Sequence, residues 1–86
     1  MAQDLIRRHL LQEIELVERH LTEGDVHIAD QRKRIGWQER TGRNSAHSRE
    51  LLATFLSVRA SHLSHQDRLI RDLGDNTTAR RPDLSQ

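Results

Sequence analysis

The chain has 86 residues, 34% of them apolar and 31% charged, with a formal net charge of +1 and no cysteine. That is one small domain at most, with no disulfide and no thiolate metal site to hold it, and without the excess positive charge of a general nucleic-acid binder. A domain this small and this polar buries too little to be robust alone, so self-association is the expected route to stability.

Charge is unevenly spread. Residues 1–24 carry five acids and three bases, whereas residues 25–50 carry six bases and four acids. No apolar run approaches the roughly 20 residues of a membrane span. The N-terminus, MAQDLIRRHLLQEIELVERHL, is broken by charges and has no small-residue cleavage site. A cytoplasmic location, with no membrane partner, is the expectation.

Asp4 is a candidate N-cap for a first helix over about 4–40. Within it Leu10, Ile14, Val17, Leu21, Gly24, Ile28, Gln31, Ile35 and Gln38 step by alternating threes and fours, extending back to Arg7. That is a heptad seam. The helix would run roughly 55 Å at 1.5 Å per residue.

A turn follows over about 41–47. Gly42 supplies a left-handed residue to end the first helix, and Asn44 or Ser45 caps the second. The second helix, about 48–73, offers the seam Leu51, Phe55, Val58, His62, His65 and Leu69, and Gly74 is its expected stop. Residues 75–86 lack periodicity and hold the sole proline, Pro82, so they read as a disordered, flexible tail. The fold expected is all-α: two long helices in an antiparallel, coiled-coil-like hairpin occupying residues 1–74.

The two helices are unequal. The first ten or so residues of helix one should overhang, exposing Leu5, Ile6, Leu10 and Leu11. Exposed apolar residues on an overhang predict a partner. A two-fold homodimer forming a four-helix bundle covers them most simply, and a different protein is the other choice.

The segments HLTEGDVHIADQRKRI and RELLATF resemble a group of small helical proteins from proteobacteria. Their pattern is HLxEGxxHIxxQR, a glycine-centred turn, a segment like ELLATFE and an HxxHRxRL-like ending. The matching residues are His20, Leu21, Glu23, Gly24, His27, Ile28, Gln31 and Arg32, then Gly42, Glu50 to Phe55, His62, His65, Asp67, Arg68 and Leu69. Residues 20–73 are covered. The resemblance implies a helical hairpin of bacterial origin and brings no activity. Leu56 departs from it, standing where an acid is usual, and so does Gln38, where an apolar residue is usual.

Three groups of residues are candidate sites. The first is a histidine cluster at the seam: His20, Gly24, His27, His62 and His65. A turn centred near Arg43 sets His62 beside Gly24 and Asp25, and His65 beside Thr22. Glycine mid-helix costs about 1 kcal/mol against alanine, so Gly24 is expected to leave room for an imidazole. A metal site there is disfavoured, because His20 and His27 are two helical turns apart, about 10 Å. The remaining reading is a pH-responsive joint. A buried neutral His62 or His65 would lend stability above about pH 6.5 that is lost as pH falls.

The second group is basic: Arg32, Lys33, Arg34, Arg40 and Arg43, with Arg49 nearby, gathered at the loop end around Trp37. It is a candidate polyanion contact, with nucleic acid the alternative partner. Interleaved Asp30, Glu39 and Glu50 favour a solvated charged end instead. Trp37 covers that end through cation–π contact with Arg34 or Arg40, or anchors an interface. The third group is the overhang itself.

Serines stand beside histidines at Ser61-His62 and Ser64-His65, but neighbours in a helix do not face each other, and two helices enclose no site from water. Enzymatic function and a cofactor are not expected. The function expected is that of a small helical adaptor or regulator.

Overall fold

The computed structural model describes the backbone of residues 2–78 and the side chains of residues 2–75. It holds two helices, α1 (Ala2–Arg40) and α2 (Ala46–Thr78), packed side by side. Contacts between early α1 and late α2, and between late α1 and early α2, make the pair antiparallel. No described helix is long and apolar enough to cross a membrane.

The turn is built as its residues dictate. Gly42 has φ +72°, and its N–H donates to the Glu39 carbonyl at 3.3 Å, while the Arg43 N–H donates to the Gln38 carbonyl at 2.7 Å. These two bonds are a Schellman ending, which satisfies carbonyls that the last helical turn leaves open. Both predicted capping residues then act at the start of α2. The Asn44 Oδ1 accepts the Ala46 N–H at 2.9 Å, and the Ser45 carbonyl accepts the first intrahelical bond, from Arg49.

The core lies along one line. Leu10, Val17 and Leu69 form a buried cluster, with Ile14, Leu21 and Leu73 packed against it. Ile28 and Ile35 are buried nearer the turn. The seam read for α1 therefore holds, except that Arg7 is exposed. Gln31 interrupts it with a polar tie, its buried Nε2 donating to the Ser48 carbonyl at 2.9 Å. A buried polar bond of this kind favours one register over its neighbours.

Several expectations need correction. The α2 seam is shifted in part: Phe55, His62, His65 and Leu69 are buried or half-buried as expected, but Leu51 and Val58 are exposed, and Ser48, Leu52, Arg59, Gln66 and Leu73 are buried or half-buried instead. The apolar doublets left the choice open: packing selected the second member of Leu51-Leu52 and the first of Phe55-Leu56 and Leu69-Ile70. α1 begins at Ala2, so Asp4 is not its cap but sits in the first turn, where a carboxylate suits the helix dipole. α2 begins at Ala46, earlier than expected, and continues through Gly74, which is not in the left-handed region. Leu73 packs on the Leu10 cluster and holds this last stretch against α1.

The longer α2 shortens the overhang. Leu10 is buried, contrary to expectation, while Leu5, Ile6 and Leu11 are exposed. Residues 75–78, read as tail, are helical. The rest of the proposed tail, 79–86 with Pro82, lies outside the described residues.

Candidate functional site

Midway along the hairpin the helices part into an open groove of about 400 Å³. Its α1 wall is His20, Leu21, Glu23, Gly24 and His27. Its α2 wall is Thr54, Phe55, Val58, Arg59 and His62. Four of the five residues of the predicted histidine cluster thus meet in one place. His65 is half-buried nearby but does not line the groove.

The contacts across the groove differ from those expected. His62 meets His20, with ring centroids 5.2 Å apart and planes tilted by 41°. His27 meets Phe55 at 6.1 Å. Asp25, expected beside His62, instead accepts from Arg59 Nε at 2.8 Å. The helices are slid by about one turn from the predicted register, carrying His65 away from Thr22 towards the Val17 end. The cause is the Schellman path, which reverses the chain a little earlier than a turn centred on Arg43.

Gly24 does not make room for an imidazole either. A Cβ built on it meets no atom within 4 Å, so the glycine faces the open groove. Gly24→Ala should therefore raise stability by about 0.5–1 kcal/mol, the ordinary helical difference. Thermal unfolding followed by circular dichroism checks this. A lower melting temperature would mean that the groove floor is covered in solution.

The pH-responsive joint needed a buried histidine. His62 and His65 are half-buried, and His20 and His27 are exposed, so that premise is not met. Among the described residues no three histidine or carboxylate side chains cluster closely enough to hold a metal ion.

At the loop end two of the basic residues, Arg43 and Arg49, are held by described contacts. The Arg43 guanidinium lies over the Trp37 ring, 4.8 Å from its centroid. Arg43, rather than Arg34 or Arg40, provides this cation because the Schellman turn folds it back. Arg49 is ion-paired with Glu39. Arg32, Lys33, Arg34 and Arg40 are exposed. Gln38, where the resembled pattern carries an apolar residue, buries an Oε1 without a hydrogen-bond partner.

One surface escaped the sequence reading. Leu56, Leu63 and Ile70 are all exposed on α2. They recur at heptad spacing and so share one face. Sorting the apolar residues of α2 into two stripes, rather than one wide stripe, would have found it.

In comparisons with known proteins, no family model, no curated protein and no solved structure matched the chain.

Proposed function

We propose that this chain is a non-enzymatic interaction protein of the cytoplasm, an adaptor or regulator that works through its helical faces and assembles as a homodimeric four-helix bundle. One observation carries the reading. Among the described residues eleven large hydrophobic side chains are exposed, whereas five hydrophobic residues are buried.

That imbalance follows from the shape. The molecule measures 67 × 23 × 13 Å, a single layer of helices. Stable domains are built from at least two packed layers, because an apolar helix face must be covered by another element. A broad face of 67 by 23 Å offers on the order of 1,500 Å², about twice the ~800 Å² that each partner contributes to a standard interface. A second hairpin is the simplest missing layer.

Light scattering after size exclusion tests this directly. The expected molar mass is twice the 10.0 kDa of one chain. A single-chain mass at about 100 μM protein would leave the exposed residues without a self-partner and sink the proposal.

A further inference from the structure

We propose that α2 carries a second seam on its solvent side, and that this seam pairs antiparallel with the same seam of a second copy. The inference rests on the self-association proposed above and names the surface that performs it.

The large members of the seam are Leu56, Leu63 and Ile70, and the small ones are Ala46, Ala53 and Ala60. Arg49 and Asp67 complete it. Together they step by threes and fours along α2, the spacing that keeps side chains on one face, and every one of them is exposed. Large and small residues alternate. Two such helices approach closely when the large side chains of one fill the spaces over the small residues of the other.

One two-fold axis satisfies the whole pattern. An axis beside residue 58 sets Leu56 of one copy on Ala60 of the other, Leu63 on Ala53 and Ile70 on Ala46. The same axis brings Arg49 of each copy, whose guanidinium also pairs with Glu39 of its own chain, opposite Asp67 of the other. Sliding by one heptad in one direction sets Leu56 against Asp67. Sliding in the other leaves Asp67 and Ile70 beyond the start of the opposing helix at Ala46. The sequence is thus self-complementary in a single register, as an isologous contact requires. That charge match and size match select a second copy as the occupant, not an unrelated helix.

Two features support the assignment. A shallow depression of about 340 Å³, lined by Ser57, Ser61, Ser64 and Arg68, borders the seam at Ala60, so no large side chain fills the space beside that alanine. The groove residues Thr54 and Val58 lie on other sides of α2, so the groove stays open in this dimer.

The test compares Ala60→Arg with Val58→Arg. Both sites are exposed, so neither change disturbs the hairpin core, and circular dichroism verifies retained helicity. Light scattering should give a dimer for the wild type and for Val58→Arg, and a monomer for Ala60→Arg. A dimer that survives Ala60→Arg overturns the seam but leaves self-association standing. A wild-type monomer overturns both. A second arm uses the absence of cysteine in the natural chain. Leu56→Cys and Ala60→Cys chains, mixed and mildly oxidised, should form a covalent heterodimer in large excess over the Leu56→Cys and Val58→Cys mixture. Equal yields would overturn the register.

Discussion

Replacing Val17 with aspartate is expected to cost about 3–5 kcal/mol, enough to abolish cooperative unfolding of the hairpin near room temperature. Val17 is the most buried hydrophobic residue described, with 3% of its surface exposed, and it sits where Leu10 and Leu69 meet. Losing the buried valine removes about 1.5–2 kcal/mol of transfer energy. The carboxylate then has no described donor in this apolar cluster, so it is either buried unpaired or hydrated at the expense of the packing around it. A layer with five buried hydrophobic residues has no second cluster to absorb the loss. The control is Val26→Asp, the same chemical change at a residue that is 57% exposed, where the cost should stay within about 0.5 kcal/mol. Urea titrations of both variants decide the matter. Equal losses at the two sites would refute Val17 as the centre of the core.

The two helices and their connection were legible because their signals are local. Gly42 can take a positive φ at little cost, and Asn44 and Ser45 carry the oxygens that open a helix. All three behave as their chemistry dictates. The α1 seam was legible because charges flank it closely: Glu18 and Asp25 leave one apolar line to bury. The α2 seam was harder, since that helix carries apolar residues on two lines. Leu52 and Phe55 face α1, while Leu56 and Leu63 do not. Periodicity gives spacing but cannot rank two lines that share it, and only the partner helix does.

The register of the histidine cluster was illegible for a related reason. It is set at the turn, by the backbone path of three or four residues, and an error of a few residues there slides every contact along the hairpin. His62 thereby meets His20 in place of Gly24. The helix past Gly74 was missed because a glycine followed by Asp75 and Asn76 is an ordinary stop signal. Here α1 extends alongside, and Leu73 packs against it.

Gly42→Val is the second change expected to have a large effect, and it acts on topology as well as stability. At φ +72° a β-branched residue is strained, and forcing an L-residue into the left-handed region costs about 1–2 kcal/mol. The Schellman bonds to the Glu39 and Gln38 carbonyls depend on that conformation, and so does the placement of Arg43 over Trp37. A total near 2 kcal/mol would lower the melting temperature by roughly 8–16 °C in a domain of this size. Valine can relieve the strain by turning helical, which joins α1 to α2 as one rod. The same core contacts are then remade between chains, in a swapped dimer. The variant should therefore melt lower and also run as a longer particle in small-angle scattering, with a maximum dimension well beyond the 67 Å of the hairpin. Wild-type dimensions together with an unchanged melting temperature would show that the turn does not rely on Gly42. Wild-type dimensions with the lower melting temperature would show that the interhelix contacts hold the hairpin closed against a strained turn.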